Sequence, residues 1–377
     1  MAKCALFPIC GGCQYRNMEE DDYRRQKQDK FAKVMQAIKQ ENLKIAVPVF
    51  IPEGTRRRAA MTFSYIKKHL RMGFNLSKSH DIADCHNCPL LSPKLNANIE
   101  NVRQMLSEIC AEPFPLKKGK KVLMQALNKG DVLICEAENG IDILLEFPYA
   151  LTLTHRMIIA EKANLYSDII RISWRSSPTA QAETILEKTP PFIINSGIRV
   201  YIAAGTFLQA SSAGEQALIE TVRKYLGQCT GKIADLFCGI GTFSYALAQN
   251  KNNRIYAADS SVALLKGFQN TINTNQIPNI QVEARNLFKY PLDEKELASY
   301  AAVVFDPPRA GASAQAESIA KAEKQPPVVI AVSCNPHTFV NDANKLIEGG
   351  YTLKEVTMVD QFVYSMHTEL VALFEKE

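Results

Sequence analysis

From residue 204 onward, apolar runs the length of single strands recur with helical stretches between them: Ile233-Ala234-Asp235-Leu236, Arg254-Ile255-Tyr256-Ala257-Ala258, Ala302-Val303-Val304-Phe305 and Val328-Val329-Ile330-Ala331-Val332. No other feature restricts the fold as much. Strands apolar on both faces must be covered on both, and parallel neighbours need a crossover, so the alternation predicts a Rossmann-like α/β domain with a mostly parallel sheet. Ligands of such sheets bind beyond the carboxyl ends of the strands.

The polar motifs fall at those ends. Asp235-Leu236-Phe237-Cys238-Gly239-Ile240-Gly241-Thr242-Phe243 follows one run and opens a helix. Its glycines let the backbone turn tightly and approach a ligand, to which helix amides offer donors. Asp259 ends the next run, where a carboxylate can bind the two ribose hydroxyls of an adenosine. Asp306-Pro307-Pro308-Arg309 ends a later one. A nicotinamide dinucleotide could use the same ground plan, but its fingerprint asks for a third glycine where Ser244 stands. S-adenosylmethionine has no pyrophosphate to cradle and fits better.

The rest of the chain is less regular. At 377 residues two or three domains are expected. Glu19 to Gln40 reads as a helix, with Tyr23, Phe31, Val34, Met35 and Ile38 at helical spacing. Residues 59–76 read as two strands with His69 near their turn, 93–112 as helix, and 121–203 as mixed α and β built on runs such as Val132-Leu133-Ile134-Cys135 and Ile143-Leu144-Leu145-Glu146-Phe147. No apolar run is long enough to span a membrane, and Met1-Ala2-Lys3-Cys4 is not followed by a signal core, so a cytoplasmic protein is expected. Ten cysteines are then expected to stay reduced and to serve metal binding or catalysis. Net charge is only +5, but Arg24-Arg25-Gln26-Lys27, Arg56-Arg57-Arg58, Lys67-Lys68-His69, Lys117-Lys118 and Lys120-Lys121 cluster early, as a phosphate-rich partner would favour. Ordinary solvated faces look the same.

Five motifs taken in order resemble one family over nearly the whole chain: Phe207-Leu208-Gln209, Asp235 through Gly241, Asp306-Pro307-Pro308-Arg309, Val332-Ser333-Cys334-Asn335-Pro336, and Asp360-Gln361-Phe362 with His367-Thr368-Glu369. That family is the uracil-C5 RNA methyltransferases, which make 5-methyluridine in transfer and ribosomal RNA. The resemblance implies that Gln209, Phe237, Gly239, Gly241, Thr242, Asp259, Asn286 and Asp306 contact S-adenosylmethionine, with Phe207 near the substrate base. Thr242 stands where many members have Asn, Asp259 where many have Glu, and Val363-Tyr364-Ser365-Met366 replaces a Pro-His-Thr-Gly segment. The chain is similar to the shorter members without an N-terminal β-barrel RNA-binding domain. RNA docking then falls to Arg56, Arg58 and the basic segment to Arg71, with His367 as a further substrate contact.

The chemistry asks for two groups. Carbon 5 of uracil is too weak a nucleophile for a sulfonium methyl, but a thiolate added to carbon 6 makes an enolate that reacts at carbon 5. A base must then remove the carbon 5 proton before the thiol leaves. Cys334, just past a strand, is the expected nucleophile, and Glu369, before the final apolar run, the expected base, with His367 on the same face of an extended segment. Cys238, in the glycine loop, reads as packing.

Cys4, Cys10 and Cys13 form C-x5-C-x2-C, and Cys88 precedes Pro89 as iron–sulfur ligands often do. With the same spacing in the family, these four are expected to hold a [4Fe-4S] cluster and Cys85 to stand by. A zinc site from Cys10, Cys13, Cys85 and Cys88 is the rival, although the gap between its two pairs far exceeds that of a zinc ribbon.

The expected order is an iron–sulfur segment, helix and basic strands over 1–92, a central α+β domain contacting RNA over 93–203, and the methyltransferase domain over 204–377. The whole is expected to act as a monomer on RNA, ribosomal rather than transfer. Two other functions compete: a non-catalytic iron–sulfur RNA-binding protein, or a methyltransferase acting on another base atom or a small molecule. Only the uracil-C5 reaction needs the Cys334 thiol.

Overall fold

A computed structural model describes residues 4–77, 79–118 and 121–376, with backbone alone for 113–118 and 121–126. Met1 to Lys3 lie outside the described residues, and the Lys117-Lys118 and Lys120-Lys121 side chains outside the described side chains. The chain forms two compact units, residues 1–16, 52–193 and 201–211 in the first and 17–51, 194–200 and 212–377 in the second. This differs from the three-part division read from sequence. Strand Arg58–Ile66 pairs antiparallel with Lys129–Ala137, so the basic strands and the central α+β segment share one sheet. The helix Glu20–Met35, placed with the first part by sequence order, folds with the methyltransferase unit instead.

The first unit is built on a seven-stranded sheet in the order Glu183–Glu187, Ile169–Arg175, Gly140–Glu146, Lys129–Ala137, Arg58–Ile66, His69–Asn75, Ile82–Asp84. One pair, Gly140–Glu146 with Ile169–Arg175, is parallel, and helix Leu153–Asn164 makes its crossover. Helix Pro93–Ala111 starts on a Ser92 side-chain cap with Pro93 in its first turn, then buries Leu95, Ile99, Val102, Leu106 and Ile109 at the helical interval. The hairpin turn at Lys67-Lys68 has both residues at left-handed φ (50° and 65°), the twist a two-residue hairpin needs.

The second unit carries an eight-stranded sheet in the order Val49–Phe50, Tyr351–Asp360, Glu369–Lys376, Val328–Ser333, Ala302–Phe305, Lys232–Leu236, Arg254–Asp259, Ile280–Ala284. The last five in that order are parallel, and all four runs read as strands from sequence are among them. Glu369–Lys376 runs antiparallel to both neighbours. From Lys232–Leu236 the chain winds outward to Ile280–Ala284, then returns to the other side of its starting strand at Ala302–Phe305. That reversal makes the carboxyl ends of Lys232–Leu236 and Ala302–Phe305 the topological switch point, where an open α/β sheet leaves a crevice.

Helix Glu20–Met35 covers part of this unit. Its buried residues Tyr23, Lys27, Phe31 and Met35 recur every four positions, and Glu20, Asp21 and Asp22 complement the positive end of its dipole. Among the described residues no helix is long and apolar enough to cross a membrane.

Candidate active site and cysteine pocket

The crevice at the switch point is lined from three strand ends. Past Leu236 the chain turns through Phe237 (φ 61°), Gly239 (φ 57°) and Gly241 (φ 91°). Only Gly241 is forced to lack a side chain by packing as well as by φ, because a Cβ there would lie 2.4 Å from the Phe268 ring; none would meet anything within 4 Å at Gly239. Asp235 is fully buried below the loop, accepts from Ser244 Oγ at 2.5 Å, and has its carboxyl pushed up to about 7, chiefly by burial. Ser244, where a dinucleotide site would have glycine, therefore has a structural task.

Asp259 ends the neighbouring strand. Its Oδ2 accepts from Gly239 N at 3.1 Å and its Oδ1 from Ser261 N at 2.8 Å, which ties the glycine loop to the acidic residue beside it. A carboxylate has further lone pairs for ribose hydroxyls. Asn286 accepts from the backbone of Phe288 and Lys289, and Thr242 lies half-buried in the turn that starts the helix after the loop. Phe288, which sequence reading passed over, packs its half-exposed ring on Phe237 with centroids 5.4 Å apart.

Asp306 follows the strand Ala302–Phe305 and donates its backbone N–H to Leu236 O at 3.1 Å. Burial holds its carboxyl well above the usual range, and Glu369 and Asp235 add to the shift.

Cys334 and Glu369 come together through sheet register. Val332 pairs with Val371 and Ser333 with Leu370, and Cys334 and Glu369 are the residues next to that last pair on their two segments. Cys334 is half-buried and Glu369 buried. The Cys334 thiol is pushed up to about 11, first by burial and then by the Glu369 and Asp306 carboxylates, while Arg309 acts in the opposite direction. Local structure also favours a thiolate there. Asn335 caps helix Pro336–Glu348 by accepting from His337 N, so the sulfur sits one residue ahead of a helix N-terminus. Asn335 Nδ2 and Thr338 Oγ1 both donate to Arg309 O, at 3.1 and 3.3 Å, and this ties the loop after Asp306 to the Cys334 corner.

His367 follows the bends and turn of residues 362–366, and Glu369, which opens the last strand, is buried. His367 is exposed there, its Nδ1 3.2 Å from Arg309, and Gln361 Nε2 donates to Glu369 Oε1 at 3.2 Å. Arg309 and Gln361 lay within motifs singled out from sequence, but their roles needed the fold. Cys238 is buried in the glycine loop, with its thiol held well above its ordinary range by burial.

Gln209 and Phe207 fold with the first unit. Gln209 is buried, its carbonyl accepting from Arg57 Nε at 3.1 Å, while Phe207 is exposed beneath the Arg58 guanidinium, 4.2 Å from its ring centroid.

Two of the basic clusters turn some members inward: Lys27 and Arg57 are buried and Arg56 lines a cavity with the cysteines, while Arg24 and Arg25 are exposed. Lys67, Lys68, His69 and Arg71 are exposed on the hairpin.

That cavity, about 190 Å³, gathers Cys4, Cys10, Cys13, Cys85 and Cys88 from two separate segments. It is several times the roughly 30 Å³ share of one water, hence larger than a single ion fills. Gly12 N donates to Cys10 Sγ at 3.4 Å. The Cys13 thiol is pushed up to about 11 by burial, with Cys88, Cys10 and Cys4 adding and Arg16 opposing. Cys85, also on this cavity, is fully buried, its thiol pushed up to about 12. Among the described residues no three His, Cys, Asp or Glu side chains converge as ligands of one metal ion.

A parallel sheet with a glycine loop and an acidic strand end beside its switch point has the ground plan of a Rossmann-like methyltransferase. The comparisons with known proteins narrow the class. The family model described as tRNA (uracil-5-)-methyltransferase matches residues 193–377. An RNA methyltransferase of Agrobacterium fabrum is 33% identical over 370 residues, covering 97% of this chain and 82% of its own. One of Zymomonas mobilis is 34% identical over 378 residues, covering 99% and 88%. The crystal structure of a Pyrococcus abyssi tRNA (uracil-54, C5)-methyltransferase in complex with S-adenosyl-L-homocysteine superposes with a TM-score of 0.72 at 22% identity, covering 97% of this chain and 86% of that one, which shows the shared fold. The chain belongs to the RNA (uracil-5-)-methyltransferase family. It is an S-adenosylmethionine-dependent RNA methyltransferase.

Proposed function

We propose that this enzyme methylates carbon 5 of one uridine in RNA through a covalent bond between Cys334 and carbon 6. The observation that carries the reading is that Cys334 and Glu369 flank the last pair of their two strands, Ser333 with Leu370, and that the Glu369 and Asp306 carboxylates both act on the Cys334 thiol. S-adenosylmethionine supplies the methyl group. Cys334 Sγ adds to carbon 6, carbon 5 takes the methyl, Glu369 accepts the carbon 5 proton, and the carbon–sulfur bond breaks to release the product. Gln361 Nε2 donates to one Glu369 oxygen and so helps to orient the carboxylate. The exposed hairpin cations from Lys67 to Arg71, together with Phe207 and Arg58, form the proposed RNA-facing surface. Mapping 5-methyluridine in ribosomal and transfer RNA from cells with and without the gene tests the reading and identifies the RNA. If no 5-methyluridine is lost, the reading fails.

Asp259, with Gly239, Gly241, Thr242, Asn286 and Asp306, is proposed to hold the cofactor. Asp259→Ala is expected to weaken S-adenosylmethionine binding about 10- to 100-fold, the value of one or two hydrogen bonds to a charged group. Calorimetry against unchanged thermal unfolding checks this.

A thiol raised to about 11 is mostly protonated at neutral pH. Since the thiolate attacks, kcat/KM is expected to rise about tenfold per unit between pH 7 and 9. Arg309 holds the thiol down, so Arg309→Gln is expected to lower the rate at pH 7.5 and displace the profile to higher pH. A flat profile in both proteins would remove Cys334 deprotonation from the rate.

Cys4, Cys10, Cys13 and Cys88 are proposed to hold a [4Fe-4S] cluster. The cavity supports a group larger than one ion, and burying mutually repelling thiolates is costly unless a cationic core lies among them. The cluster would pin residues 4–16 onto their sheet, where Gly11 N already bonds Asn75 O at 3.0 Å and Ser77 N bonds Ile9 O at 3.2 Å.

A further inference from the structure

The turn between Asp360 and Glu369 has no ladder hydrogen bonds of its own, yet the residue that follows it must present a carboxylate at a defined point. Helix Glu20–Met35 grips this turn with two side chains one helical turn apart. Lys27, only 3% exposed, pairs its ammonium with Asp360 Oδ1 at 2.9 Å and donates to the carbonyls of Ser365, at 3.0 Å, and His367. The Tyr23 hydroxyl donates to Asp360 Oδ2 and accepts from Tyr364 N at 2.9 Å. Its ring lies 4.9 Å from that of Tyr364, which sits at a left-handed φ of 59°. The next residue in the chain after Asp360 is Gln361, bonded to Glu369.

A charged lysine is costly to bury and is satisfied here by one carboxylate and two carbonyls of a single turn. Nothing in the methylation chemistry uses it. We infer that Lys27 and Tyr23 are positioning residues for the base, holding Asp360 and the 361–368 turn so that Glu369 is aimed at the carbon 5 proton. The inference rests on the proposed roles of Cys334 and Glu369. Its consequence is specific to one step. Addition and methyl transfer need Cys334, whose own corner is fixed by Asn335 and Arg309, whereas proton removal and release of the thiol need Glu369 in place. Misplacing a reacting group by about 1 Å can cost about 10²-fold. Loosening the clamp should therefore stall the enzyme after methylation.

The test uses the full chain and, as probe, [5-³H]uridine-labelled total RNA from cells lacking the gene. Lys27→Met and Tyr23→Phe are compared with wild type and with Glu369→Gln for tritium release, and for methyl-bearing protein–RNA adduct on denaturing gels. Lys27→Met is expected to slow tritium release on the order of 10²-fold and to accumulate the adduct. Tyr23→Phe, which keeps the ring and loses two hydrogen bonds, should do the same to a smaller degree. S-adenosylmethionine affinity should stay within about twofold of wild type in both, and Lys27→Arg should recover most of the release rate. If Glu369→Gln accumulates adduct while neither clamp variant does, the inference fails and the mechanism stands. Loss of cofactor affinity in step with activity in both variants would also overturn it, since the clamp would then only hold the unit together. If Glu369→Gln itself gives no adduct, the base lies elsewhere and both readings fall.

Discussion

Glu369→Gln is expected to convert the enzyme into one that methylates its RNA once and stays attached to it. The amide keeps the shape of the carboxylate but cannot take the carbon 5 proton, so the carbon–sulfur bond to Cys334 cannot break. Turnover should fall about 10²- to 10⁴-fold, the usual contribution of a positioned base. A protein–RNA adduct carrying the new methyl group should persist through denaturing electrophoresis. In Cys334→Ala,Glu369→Gln no adduct should form. A single variant that turns over normally would place the base elsewhere, and an adduct without Cys334 would displace the nucleophile. The same pair discriminates the two other readings, since neither a binding protein nor a nitrogen methyltransferase needs a thiol bonded to its substrate.

Protein purified without oxygen is expected to be brown and to contain about four irons and four sulfides per chain. Cys88→Ser should remove most of that iron. Because metal bound only by the folded state contributes directly to folding, the variant should unfold on the order of 10 °C lower. Residues 4–16 should become more sensitive to protease, since the cluster would tie Cys4, Cys10 and Cys13 to Cys88 in addition to the backbone bonds and the Arg16–Glu53 ion pair, at 2.8 Å, that hold that segment. Methyl transfer chemistry is not routed through the cluster, so residual activity should follow the folded fraction. Stoichiometric zinc with no iron or sulfide would overturn the assignment.

Much of the second unit was legible before any coordinates. The four buried runs became parallel strands because a run apolar on both faces has few other stable environments. Asp259 and Asp306 fell at strand ends because the polar residue closing such a run has nowhere else to go. Helix Pro93–Ala111 falls within the 93–112 stretch read as helix, and the structure adds its Ser92 cap. Basic runs were less informative. Lys27 and Arg57 read as members of phosphate-facing clusters, yet both are buried, because charge in a sequence does not tell which partner neutralises it.

By itself the sequence determined four strands of the parallel sheet, the glycine loop and the identities of the residues with reactive groups, since these depend on local periodicity and side-chain chemistry. Tertiary structure alone decided which of them meet. The pairing of Arg58–Ile66 with Lys129–Ala137 merged two expected domains, and the pairing of Ser333 with Leu370 brought the segments of Cys334 and Glu369 together. Helix Glu20–Met35 reached across more than three hundred positions to clamp the turn before Glu369. Strand register and buried ion pairs are interactions between distant segments, selected by the free energy of the whole packed unit, and no local pattern encodes their partners.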